Sequence, residues 1–201
     1  MKKSLIRATL AVTSLGFLLA GCGTVSEMET EDGTPLFDAS VFEQVVVLDF
    51  TDETSTKTSD ESEEAEHDEA VRIAGRLFAD KIAAELKKKG IFKEVTRTET
   101  EGGALVIGGA ITRYQEGNAA VRFLIGLGAG SSYFDATVNF INDADGATLG
   151  VMKVDKNSWV LGGGLAATQT VESYMNEAAR KVAAELEKAL MPIATVPQSG
   201  S

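Results

Sequence analysis

Between about residue 42 and residue 190 the apolar positions switch repeatedly between a strand-like and a helical period. Val45-Val46-Val47-Leu48-Asp49-Phe50 is a β-branched apolar run of the kind that forms a buried central strand. From about Glu64 to Lys89 the period becomes helical, with Val71, Ala74, Leu77, Phe78, Ile82 and Leu86 on one stripe. Glu63, Glu64 and Glu66 sit at the positive end of that helix, Lys87-Lys88-Lys89 at its negative end, and Gly90 at the position just past the end that favours glycine. Ile91–Val95 reads as a short strand, and strand, amphipathic helix and strand predict a right-handed crossover between parallel neighbours. A further strand runs from Ala104 to about Tyr114, with Gly108-Gly109 inside it marking a bulge or a close backbone approach.

The segment Ser132–Ile141 alternates. Phe134, Ala136, Val138 and Phe140 point one way, and Tyr133, Asp135, Thr137 and Asn139 the other, as in a half-exposed antiparallel strand. Asn142–Gly146 is a hairpin turn, and Thr148–Asp155 the return strand. A second helix spans about Thr170–Leu190, with Val171, Tyr174, Met175, Ala178, Val182, Leu186 and Leu190 on its apolar stripe and Pro192 as its stop. These elements predict one α/β domain at 42–191: two layers, a mixed sheet of about five strands with both helices on one face.

The flanks read differently. Residues 1–21 form a basic start (Lys2, Lys3, Arg7) and an apolar run from Ala8 to Ala20, the length of a secretory signal and too short to span a membrane. The run ends in Leu19-Ala20-Gly21-Cys22, which resembles the lipobox at which bacterial lipoproteins are acylated and cleaved, and Cys22 is the single cysteine of the chain. The resemblance implies lipid on Cys22, and Gly23 in place of an aspartate implies the outer membrane, with the domain facing the periplasm. More than one acyl chain is needed for stable anchoring. Residues 22–41 are polar with little periodicity and read as a flexible tether, and 192–201 as a disordered tail.

Charge narrows the partners. The net charge of −11 falls by three to −14 once Lys2, Lys3 and Arg7 are removed, so the body repels nucleic acid and anionic headgroups and the lipid must do the anchoring. With its one cysteine acylated, the mature chain has no disulfide and relies on its core. Nine acidic residues fall between Asp52 and Glu69 beside Lys57 and the lone His67; this is a solvated loop leading into a helix, or else a surface for a cation or a basic partner. Asp143-x-Asp145-Gly146 lacks the acidic residue a calcium loop needs, since Val154 stands there. His67 has no cysteine or second histidine to work with, and no zinc spacing occurs. Asp49, Asp52 and Glu53 at a strand end are the only acid–base candidates. No metal, cofactor or catalytic activity is expected.

The most unusual stretch is Arg122-Phe123-Leu124-Ile125-Gly126-Leu127-Gly128-Ala129-Gly130-Ser131. It is neither a phosphate loop nor a dinucleotide fingerprint, because no Gly-Lys-Ser/Thr follows and a strand rather than a helix comes next. It is a glycine-rich bend into a strand, or an apolar surface for a partner, for self-association or for the membrane. Arg122, Phe123, Leu124, Ile125, Gly126, Leu127, Gly128 and Gly130 are the candidate interaction residues. A second glycine run, Gly162-Gly163-Gly164, follows Trp159.

The lipobox, the strand–helix–strand start and the glycine stretch together resemble a domain-of-unknown-function family of bacterial envelope lipoproteins marked by R-[YF]-x-x-G-x-G-A-G. Arg122, Phe123, Gly126, Gly128, Ala129 and Gly130 match it. The element order is also similar, by topology alone, to lipoproteins that activate penicillin-binding proteins or assemble curli pores, which bind proteins and catalyse nothing. The expectation is a lipid-anchored, non-catalytic interaction or assembly module. A self-assembling structural lipoprotein is the alternative, and a periplasmic ligand-binding protein the third reading.

Overall fold

The structure is a computed structural model, and it describes residues 23–29, 37–54, 61–99, 103–117, 131–157 and 170–190. Its strands are β1 (Gly23–Val25), β2 (Gln44–Val47), β3 (Thr51–Asp52), β4 (Glu94–Thr96), β5 (Leu105–Gln115), β6 (Tyr133–Asn142) and β7 (Thr148–Asn157). Its helices are α1 (Glu61–Lys89) and α2 (Val171–Ala189), with a 3-10 turn at Ala39–Val41. The sheet runs β1-β7-β6-β5-β2-β4, with β3 pairing β5 beyond the end of β2. β2 is parallel to β4 and β5, as the crossover pattern predicts, while β5, β6, β7 and β1 are antiparallel in turn.

Both helices cover one face. The core lies between them and the inward residues Val45, Val47, Leu105, Ile107, Phe134, Ala136, Val138, Phe140, Met152 and Val154. The alternation of β6 is realised in full, with Phe134, Val138 and Phe140 at 0 % exposure. Phe78 links the layers, with its ring 4.8 Å from Phe50 and 5.1 Å edge-on to Phe134. α2 starts at a reciprocal cap, where Thr170 and Ser173 each accept the other's backbone N–H.

The run Val45–Phe50 is not one continuous strand. The chain leaves β2 after Val47 and rejoins as β3 beside Ala110 and Ile111. The break lets α1 approach: a Cβ on Gly75 would lie 2.3 Å from the Phe50 carbonyl oxygen, so only glycine admits this contact. Gly109 is the close approach predicted inside β5. Its φ is +147°, and a Cβ there would fall 1.9 Å from the Thr137 carbonyl. The register shift itself lies further on, between Ile111 and Arg113.

The mixed sheet with both helices on one face is as expected, and among the described residues it has seven strands, β1 and β3 adding to the five read from the sequence. One expectation is corrected: residues 23–29, read as flexible tether, are docked, with Gly23, Thr24 and Val25 paired with Lys156, Asp155 and Val154. Ser26 N–H then donates to Lys153 (2.8 Å), and Glu29 and Val151 exchange backbone bonds (2.9 and 2.7 Å). β7 would otherwise offer a bare row of donors and acceptors, and Met28, 5 % exposed, gives the segment an apolar foothold over Gly150.

Candidate interaction surface

No helix among the described residues covers the outer face of the sheet. Pairing aligns Val46 of β2 with Val106 of β5, and Val106 with Ile141 of β6, so three aliphatic side chains form a row across that face. Leu48 extends the row, tied to β5 by its N–H to Ile107 (2.8 Å). With Glu99 after β4, and Asp143 and Gly146 of the β6–β7 turn, these residues line a trough of about 210 Å³. Its floor is apolar and its rim carries two carboxylates. Such a recess suits an apolar side chain with a cationic neighbour.

The other half of the face is polar. Arg113 lies over the Tyr133 ring, 3.6 Å from its centroid. Arg113, Asp135 and Asp155 stand side by side on successive strands. Burial holds the Asp135 carboxyl above its ordinary value, and the like charge of Asp155 adds to this while Arg113 opposes it. Directly opposed carboxylates on a sheet cost stability. Burial, with Glu116 beside it accepting its hydroxyl at 3.0 Å, pushes the Tyr114 phenol up as well.

Of the acid–base candidates, Asp49 and Asp52 accept hydrogen bonds through their carboxylates, and Glu53 is tied through its backbone N–H. Asp49 receives Arg97, which also binds Asp80 (2.9 Å) and the Val47 carbonyl, and Arg76 approaches it at 3.6 Å. Asp52 accepts the Thr54 N–H at 2.7 Å, and the Glu53 N–H donates to Ile111 at 2.9 Å. His67 sits in the second turn of α1, 3.1 Å from the Thr54 hydroxyl. None of these residues lines the trough. Glu185 is buried; burial pushes its carboxyl up, but Lys188 (2.7 Å) and Lys181 (2.9 Å) more than offset this and leave it below the ordinary value. No group of three or more potential ligands gathers to hold a metal ion among the described residues.

Cys22 and the candidate segment Arg122–Gly130 lie outside the described residues. That segment joins β5 to β6, and the chain on either side of it is tied together by the Ser132 hydroxyl donating to the Glu116 carbonyl. Sequence reasoning missed the trough. Val46 and Val106 sit in continuous apolar runs that do not tell inward from outward positions, and only the strand register brings them beside Ile141.

Comparison with known proteins bears on the fold. The PelC dodecamer of Paraburkholderia phytofirmans is similar at a TM-score of 0.54 and 17% identity over 82% of this chain and 96% of that one. A single-substitution variant of it gives 0.50 and 18% over the same shares. Protein XCC0632 of Xanthomonas campestris, assigned to the family DUF330, gives 0.41 and 11% over 83% and 90%. No curated protein sequence matches. The family match covers more than half of the chain, residues 45–162, from β2 through the end of β7, and on it the chain belongs to the family defined by the domain of unknown function DUF4410.

Proposed function

We propose that this protein is a lipid-anchored lipoprotein of the bacterial outer membrane, facing the periplasm, and that its domain is a non-catalytic interaction or assembly module. The observation that carries the interaction reading is the outer face of the sheet, which no described helix covers and where Val46, Leu48, Val106 and Ile141 line an apolar trough with the carboxylates of Glu99 and Asp143. The anchor rests on the signal-like residues 1–21 and the lipobox at Cys22. A site-specific photocrosslinker at Val106, in envelopes of cells making the full chain, is expected to trap a defined protein, and Ile141→Asp is expected to abolish the product. A product that persists in the variant, or none at all, counts against the trough as the binding surface.

Self-assembly is the second reading, favoured by the fold shared with the PelC dodecamers. Light scattering on the mature chain with Cys22→Ala discriminates between the two. A concentration-independent monomer sinks self-assembly. An oligomer dispersed by Val106→Asp assigns the interface to the trough, and one dispersed by Ile125→Asp assigns it to the glycine segment.

A further inference from the structure

The docking of residues 23–29 has a consequence for how the domain stands on a membrane. On the lipoprotein reading, on which this inference rests, the acylated residue is Cys22. The next residue, Gly23, is already paired with Lys156 at the sheet edge. One peptide step, ~3.8 Å between Cα atoms, separates the two, in place of a tether of some twenty residues.

The pairing also decides which end of the sheet is tied down. β1 runs antiparallel to β7, so Gly23 lies by the end of β7, at Lys156–Asn157. The register carries that end across the sheet: Asn157 stands opposite Tyr133, and Tyr133 opposite Gln115. The other end is the β6–β7 turn, Asp143–Gly146. Nine to ten residues of β6 separate the ends, about 30 Å at ~3.3 Å per residue. The trough residues Val106, Ile141, Asp143 and Gly146 belong to the far end. An acidic body of −14, three below the −11 of the full chain, has no attraction to an anionic leaflet that would lay it flat.

We infer that lipid on Cys22 holds the domain directly against the membrane, so that the end of the sheet that carries Gln115, Tyr133 and Asn157 faces a lipid surface and the trough lies at the membrane-distal end. The surface is the membrane-proximal end of a fixed domain, and its partner is the leaflet that carries the acyl chains. A partner protein then meets the trough about 30 Å above the lipid rather than within a wide, freely sampled volume.

The test uses the full acylated chain in vesicles of phosphatidylethanolamine and phosphatidylglycerol with an energy-transfer acceptor on the headgroups. Donor dyes are placed at Gln115→Cys or Asp145→Cys, both exposed positions. The expected result is strong transfer from position 115 and weak transfer from 145, corresponding to a height difference of about 30 Å. Inserting a flexible eighteen-residue Gly/Ser segment between Cys22 and Gly23 should collapse that difference. Equal transfer from the two positions in the chain without the insert, or a difference that survives the insert, overturns the inference. The mass of the N-terminal peptide is read on the same samples. Acylated Cys22 with equal transfer refutes the fixed orientation alone, whereas an unacylated chain refutes the lipoprotein reading itself.

Discussion

Met28→Ala tests the docked segment most directly. Met28 is 5 % exposed and belongs to the core, and its Cγ and Sδ lie so close over Gly150 that a Cβ there would stand 2.9 Å from them. Truncating a buried methionine to alanine costs about 2–5 kcal/mol, and a site at the rim, where the chain can settle, belongs at the lower end, about 2 kcal/mol. Residues 23–29 are a short piece held by a few backbone bonds, so the loss falls on their local opening rather than on unfolding of the whole domain. At 1.36 kcal/mol per tenfold, about 2 kcal/mol is roughly a thirtyfold rise in the open population. Amide hydrogen exchange reads this residue by residue. The N–H groups of Ser26, Glu29 and Val151, which make the bonds between this segment and β7, should lose about thirtyfold of their protection, while amides in the β5–β6 ladder keep theirs. Unchanged exchange at Glu29 and Val151 in a folded variant would show that Met28 does not hold the segment. A uniform loss across the sheet would refute the local character of the opening.

Two further perturbations address the sheet. Gly109→Ala combines a φ of +147° with a Cβ 1.9 Å from the Thr137 carbonyl, so β5 and β6 must separate; a loss above about 3 kcal/mol is expected in urea unfolding, and a loss under about 1 kcal/mol would refute the close approach. Asp155→Asn should stabilise the fold near pH 7 by about 0.2–1 kcal/mol, because it removes the like charge opposed to Asp135. Asp135 has its carboxyl raised in the folded state, so its contribution is fully present below the unfolded carboxylate value and is lost as pH rises through the folded one; the gain from Asp155→Asn therefore shrinks as pH is lowered towards about 3. Urea midpoints at both pH values check this, and an equal gain at both would refute the charge explanation.

The periodic parts of this protein were legible from residues alone. α1 was expected to begin near Glu64 and begins at Glu61, and both sequence and structure end it at Lys89 before Gly90. β6 and α2 fall within a residue or two of where alternation, the apolar stripe and the Pro192 stop put them. Each of these elements carries its own period and caps, so its identity is a local property. Properties that depend on what lies across from a residue were not legible. Val25 and Met28 stand in a polar stretch without periodicity, and only the open edge of β7 turns that stretch into a strand. The run Val45–Phe50 contains no breaker; the break goes with the close packing of Gly75 of α1 against the Phe50 carbonyl, a contact between distant segments. The trough depends on register. Val46, Val106 and Ile141 are sixty and thirty-five positions apart in the chain and become neighbours only when three strands align. Local sequence determined which elements form, because hydrogen bonding and side-chain period act over a few residues. Tertiary structure alone decided which edges are covered and which face is left open, because those depend on contacts between segments far apart in the chain.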